Sequence, residues 1–230
     1  MKIIADSEQI RYFKEHHIIQ FDDVISSARL EEVNNEIDIV LSKRTGARKE
    51  QAKKLPPAEV YPYTRDLWRD SDVIKKFDCQ NRFADLVSSF FNTQKFLLGS
   101  DQLLVPESAS SIGYQPYYPQ AFPEPKPLEE QSSIQGIHSA LIVCLKGESD
   151  ASDAVFPTHP GSVVMIGPDY LLPLGELEHN HTQRFLLISY VRHDALYLYR
   201  KEDPNTHYLK GLGYVFGDKL MQKGHPLIRI

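Results

Sequence analysis

Cysteine is scarce in this 230-residue chain: there are only two, Cys79 and Cys144, far apart and without a Cys-x-x-Cys partner. Neither a disulfide scaffold nor a structural zinc site is indicated, and two buried free thiols are the plain reading. A transmembrane-length apolar run is also missing, and Met1-Lys2-Ile3-Ile4-Ala5-Asp6 meets an acid before any signal-peptide core develops. The chain therefore reads as a cytoplasmic protein without a membrane partner. Positive charge is not in excess, with 26 Lys plus Arg against 31 Asp plus Glu and a net charge of -5. No nucleic-acid partner is expected from such a balance. Gly-x-Gly-x-x-Gly, P-loop and Gly-x-Ser-x-Gly motifs are absent as well, which argues against nucleotide binding, phosphoryl transfer and α/β-hydrolase chemistry.

What is present suggests one domain, residues 1–230, with a helical part over 1–94 and a strand-rich core over 95–230; the hydrophobic content of 41% suffices for one large core. Asp6 and Gln9 form a capping-box pattern ahead of a helix that buries Ile10 and Phe13. A short strand at Ile18–Phe21 precedes a second helix, capped by Ser26 or Ser27, whose Leu30, Val33, Ile37 and Leu41 recur at helical spacing. Thr45 to Pro62, broken by Gly46 and Pro56-Pro57, is expected to be a mobile loop. Asn81 to Phe91 predicts a third helix with an aromatic core face, and Phe96 to Val105 either two strands around Gly99-Ser100-Asp101 or one bulged strand. Ile134 to Leu145 reads as a buried strand, and Gly211 to Gly217 as a turn and edge strand.

Several segments together resemble the phytanoyl-CoA dioxygenase-like iron(II)/2-oxoglutarate oxygenases. Tyr12 to Phe21 is similar to that family's helix-to-strand entry, and Leu98 to Val105 to the strand before its metal motif. Tyr114-Gln115-Pro116-Tyr117-Tyr118-Pro119 resembles the segment leaving that motif, while Gly161 to Ile166 and Asn180 to Val191 resemble the closing strands. The fold this implies is mainly β with flanking helices: a double-stranded β-helix, a cupin-like jelly roll, braced by N-terminal helices.

Such enzymes hold iron(II) with two histidines and a carboxylate. The resemblance aligns the family's His-x-Asp with Ile112 and Tyr114, and its second histidine with the neighbourhood Leu171-Leu172-Pro173-Leu174-Gly175. Isoleucine cannot ligate iron, and tyrosine does so only as phenolate, from a solution pKa of about 10. The resemblance thus implies a fold kept and a metal triad lost, with no metal or other cofactor expected; iron(II) and 2-oxoglutarate enter only if the protein is active.

Arg184 matches the family's anchor for the distal carboxylate of 2-oxoglutarate, a task suited to the planar guanidinium fork. The alternative is an internal ion pair with Asp169, Glu176 or another acid. Alternation puts Arg184, Leu186, Ile188 and Tyr190 on one strand face, where a charge needs a partner. With Arg184, the candidate ligand-binding residues are Tyr114, Gln115, Tyr117 and Asn180, and the expected ligand is a small carboxylic acid or a protein partner. Tyr114, Tyr117, Tyr118 and Phe122 line a pocket mouth or form a packing loop. Two further readings stay open: an oxygenase whose metal site is rearranged onto His138, His179 or His181, and a metal-responsive regulator suggested only by the nine histidines. Against the first, His179-Asn180-His181 has turn chemistry, and His138 begins a buried strand.

Overall fold

The computed structural model describes residues 5–105, 116–147, 155–179, 183–222 and 224–229, with the side chains of 178 and 179 excepted. α1 (Ser7–His16) opens with the predicted box: Asp6 accepts the Gln9 N–H at 2.8 Å and Gln9 accepts the Asp6 N–H at 3.0 Å. After β1 (Ile18–Phe21), α2 (Ser27–Thr45) buries Leu30, Val33, Ile37, Val40 and Leu41. Its end is set by Gly46, whose φ of 69° suits a residue without a Cβ.

The stretch expected as a mobile loop instead forms two single helical turns, α3 (Lys49–Ala52) and α4 (Pro57–Val60). Pro57 starts the second turn, where its missing N–H forfeits no helical bond. α5 (Asp72–Asp78) begins where Ser71 Oγ accepts from Val73 N–H and Ile74 N–H at 3.2 and 3.3 Å. α6 (Asn81–Phe91) spans the range the aromatic spacing predicts.

Strand structure then takes over with β2 (Lys95–Leu104), a short α7 (Tyr117–Ala121), β3 (Lys126–Pro127) and β4 (Ile134–Lys146). β5 (Val163–Ile166), β6 (Leu171–Leu172), β7 (Arg184–Tyr197) and β8 (Leu227–Arg229) complete it. A six-stranded sheet has the order β1-β5-β4-β7-β2-β8, every pairing antiparallel, and β3 pairs with β6 in a separate ribbon. The N-terminal part therefore supplies a strand as well as helices, since β1 is an edge of the main sheet. Gly211 to Gly217 is not an edge strand: a 3-10 turn at Tyr208–Leu212 is followed by turns in which Gly213 and Gly217 take φ of 88° and 99°.

Alternation divides the sheet into two faces. Leu186, Ile188 and Tyr190 join Leu141, Val143 and the buried faces of α2, α5 and α6 in one cluster. Phe185, Leu187 and Val191 join Ala140, Ile142, Tyr61, Tyr118, Leu172 and Leu174 in the other. We call these the helix face and the loop face.

A β-bulge decides what each face receives from β2. Leu98 pairs with Tyr190 and Ser100 with Ser189, so Gly99 is the extra residue and the alternation reverses across it. Ser100 and Gln102 consequently turn to the loop face and Asp101 to the helix face. Only glycine fits at the bulge, because a Cβ there would lie 2.5 Å from Val191 Cγ1 and 2.9 Å from Ser189 Oγ.

Candidate functional site

Arg184, first residue of β7, projects to the helix face, as its alternation with Leu186, Ile188 and Tyr190 requires. Its Nη1 donates to Asp38 Oδ1 at 2.9 Å and to Asn34 Oδ1 at 3.2 Å, both on α2. The partner the sequence demanded is thus Asp38, not Asp169 or Glu176. Asp38 is 7% exposed and also meets Lys53 Nζ at 3.4 Å through its other oxygen. Asn34 donates to Leu145 O at 2.9 Å, so the same cluster clips α2 to the end of β4. Burial pushes the Arg184 pKa down, against the pull of Asp38, but a guanidinium so shifted remains cationic. A groove of about 460 Å³ runs past Arg184, with Lys53, Lys146, Glu31 and Asp38 on its walls, and it lies on the helix face.

The other candidates do not gather around Arg184. Tyr117 packs in a ring cluster with Tyr61 and Tyr118, centroids 5.2 and 5.5 Å away, on the loop face. This is packing, and burial, followed by Asp203, pushes its phenol up from the ordinary tyrosine range. Tyr114, Gln115 and Asn180 lie outside the described residues, as do Ile112 and His181, and of His179 only the backbone is described. His138 sets its ring against Phe91 of α6 at 4.4 Å, on the helix face. Among the described residues its Nε2 has no hydrogen-bond partner, and burial, then Arg192, lowers its pKa.

A residue the sequence did not single out occupies the loop face. Arg65 is 8% exposed and borders a small cavity, about 20 Å³, with Tyr61, Ser100, Gln102, Gln131, Ser132, Leu174 and Ser189. Among the described residues its guanidinium makes no ion pair, and its single hydrogen bond runs from Nη2 to Ser132 Oγ at 3.5 Å. Burial works against that charge; Asp203 foremost, then Asp66, Tyr61 and Asp101, outweigh it and raise the pKa. Asp203 acts from beyond contact, since its oxygens accept the N–H groups of Ser133 at 2.7 Å and Asn205 at 2.8 Å. Gln131 also faces a deficit: its Nε2 donates to Lys126 O and Leu172 O, at 2.6 and 3.0 Å, while its buried Oε1 has no donor among the described residues. The two amide donations fix which end is oxygen.

Behind β2 on the helix face sits a second polar group. Asp101 accepts the N–H of Leu67 at 2.6 Å and of Trp68 at 3.1 Å, so it holds the 3-10 turn Leu67–Arg69 that follows Arg65. Asp78, fully buried, lies beside Asp101. As carboxylates neither oxygen of Asp78 would have a donor; protonated, it gives its hydrogen to Asp101. Burial and the neighbouring acid push Asp78 well above the usual range, and burial, with Asp66, raises Asp101 to about 7. The pair titrates as a unit.

Among the described residues no donor set fits a two-histidine, one-carboxylate iron centre. Among the described residues no three His, Cys, Asp or Glu side chains converge. The neighbourhood aligned with a second histidine ligand supplies Leu172 and Leu174, both buried in the loop-face cluster, and Leu174 borders the Arg65 cavity. Among the described residues no helix is long and apolar enough to cross a membrane.

No family model and no curated protein matches the chain. Solved structures do. The non-heme α-ketoglutarate-dependent carbocyclase SnoK from nogalamycin biosynthesis is 13% identical, with a TM-score of 0.66 over 97% of this chain and 96% of its own. The α-ketoglutarate-dependent epimerase SnoN of the same biosynthesis is 12% identical, with a TM-score of 0.61 over 96% and 97%. HygX from Streptomyces hygroscopicus, solved with nickel and 2-oxoglutarate bound, is 14% identical, with a TM-score of 0.52 over 94% and 98%. Helices on one face of an antiparallel sheet, matched over nearly the whole length of these enzymes, give this chain the fold of the non-heme 2-oxoglutarate-dependent oxygenases.

Proposed function

We propose that this protein is a noncatalytic relative of the phytanoyl-CoA dioxygenase-like oxygenases, a double-stranded β-helix kept as a scaffold that binds a small carboxylic acid. The observation that carries this reading is the state of Arg184. The residue matching the family's acid anchor is turned to the helix face and engaged by Asp38 and Asn34. An arginine so held points away from a diacid on the opposite face.

The ligand positions support the same reading: Ile112 cannot bind a metal, Tyr114 lacks the neighbouring imidazole, and Leu172 and Leu174 fill the stretch aligned with the second histidine. SnoN has been solved with Fe3+ and α-ketoglutarate, and HygX with nickel and 2-oxoglutarate. Among the described residues the chemistry those groups supply has no matching donor set, so no reaction step is assigned to them. A small acid is preferred to a protein partner because the cation and the acceptor left unpaired among the described residues both belong to residues that line one small cavity.

The test is metal analysis of the purified protein, followed by incubation with iron(II), ascorbate and 2-oxoglutarate. Substoichiometric iron and no succinate are expected. Stoichiometric iron with succinate formation overturns the noncatalytic reading. In that event His138→Ala separates a rearranged centre from a conventional one, since only the former loses iron with the imidazole.

A further inference from the structure

Among the described residues, the loop face carries a cation without a counter-charge in contact, and an acceptor without a donor, around one cavity. Arg65 is more than nine-tenths buried. A guanidinium cannot discharge its cost by losing a proton, so a buried one is stable only when paired and hydrogen-bonded. One bond of 3.5 Å to Ser132 leaves most of its five N–H donors unused, and Asp203, its strongest electrostatic support, is occupied by backbone amides.

The hydroxyls around the cavity have donor capacity left. Ser132 Oγ accepts from Arg65 and from Ile134 N–H, at 3.5 and 3.2 Å, so its own hydrogen is uncommitted. Ser189 Oγ can donate to Ser100 O at 3.2 Å and accept from Ser100 Oγ at 2.8 Å, or release Ser100 to donate elsewhere. Gln102 adds nothing to this supply: its amide is spent on Thr64, Leu103 and Asn205. The wall thus offers a fixed positive charge and serine hydroxyls to an anion, and one carbonyl oxygen, Gln131 Oε1, in want of a donor.

We infer that this cavity is a binding site for a compact oxyanion that also carries a hydroxyl, of the size of bicarbonate or glycolate. Its charged oxygens would meet Arg65 and the serines, and its O–H would supply the Gln131 oxygen. A volume of about 20 Å³ admits a water or a small ion and is too small for a five-carbon diacid. The inference deepens the binding-scaffold reading and rests on it for the site's purpose, but its test involves neither iron nor turnover, so either can fail alone.

Thermal unfolding of the full chain is followed at constant ionic strength while sodium bicarbonate, sodium formate, sodium sulfate or 2-oxoglutarate is raised. The midpoint is expected to rise saturably with bicarbonate and, less, with formate, which has the charge but no hydroxyl. Arg65→Met is expected to abolish the response, and Ser132→Ala to weaken apparent affinity about tenfold, the loss of one charge-assisted hydrogen bond. Equal responses to all four salts, or an unchanged response in Arg65→Met, overturn the proposal. Should Arg65→Met not fold, a bromide-soaked crystal of the unsubstituted protein decides: an anomalous peak within hydrogen-bond reach of the guanidinium supports the site, and no peak there removes it.

Discussion

Two buried arginines on opposite faces of one sheet have had their charges managed in opposite ways. Arg184, on the helix face, has Asp38 at 2.9 Å and Asn34 beside it, and α2 is thereby fastened to β4 and β7. Arg65, on the loop face, has a single long bond to a serine and a cavity before it. The first arrangement is paired and structural; the second has no counter-charge in contact among the described residues. Matching an arginine to a family position thus says little until the face it projects from is known.

The comparison can be broken most forcefully at Asp38. Asp38→Ala strands Arg184 among apolar neighbours and leaves Lys53 without its buried partner, and a loss of about 3 kcal/mol is expected from chemical denaturation. A change below about 0.5 kcal/mol would mean that Arg184 finds solvent through the adjoining groove, and the contrast between the faces would weaken. Next in size is Gly99→Ala, which drives a methyl into Val191 and Ser189 and is expected to cost about 2 kcal/mol. Because the same strain disturbs Ser100 and Ser189, it should also blunt the bicarbonate response. Retained stability with a lost response would show that the bulge serves the cavity alone.

The smallest effect is one of slope. Asp101, raised to about 7, and Asp78, raised further, bind protons more tightly folded than unfolded, where an aspartate titrates near 3.9. Stability from this pair is fully present below about pH 4 and is lost as pH rises through about 7, the reverse of ordinary carboxylates. Asp78→Asn keeps a donor toward Asp101 without needing a proton. Near pH 6 it should change little; between pH 6 and 9 it should flatten the decline in the unfolding midpoint. An unaltered pH profile in that variant would contradict a shared proton.

Much of the scaffold was legible because its signals are local. The Asp6 and Gln9 box, the helical spacing over Asn81–Phe91 and the alternation from Arg184 to Tyr190 each depend on residues a few positions apart. The oxygenase fold itself was suggested by short strand landmarks and agrees with SnoK and SnoN over nearly the whole chain. The bulged strand was one of two readings of Phe96 to Val105, since Gly99 permits either a turn or an extra residue.

The site was much less legible. Arg65 lies between Thr64 and Asp66 in a stretch without periodicity, and its burial is decided by Gln131, Ser132 and Ser189, all distant in sequence. The available clue was an isolated cation in an otherwise aromatic segment, Tyr61 to Trp68, but such a pattern is equally usual at a surface. The partner of Arg184 was missed for a related reason: Asp38 adjoins Ile37 on the buried stripe of α2, and only the packing of α2 on β7 brings them together.

The reversal of alternation at Gly99 makes β2 a strand whose length matters more than its composition. Remove Ser100, and Asp101 and Gln102 would trade sides: a carboxylate would enter the cavity beside Arg65, and the turn at Leu67 would lose its acceptor. A single-codon deletion there would thus neutralise the guanidinium from within and turn a receptive cavity into a self-satisfied one.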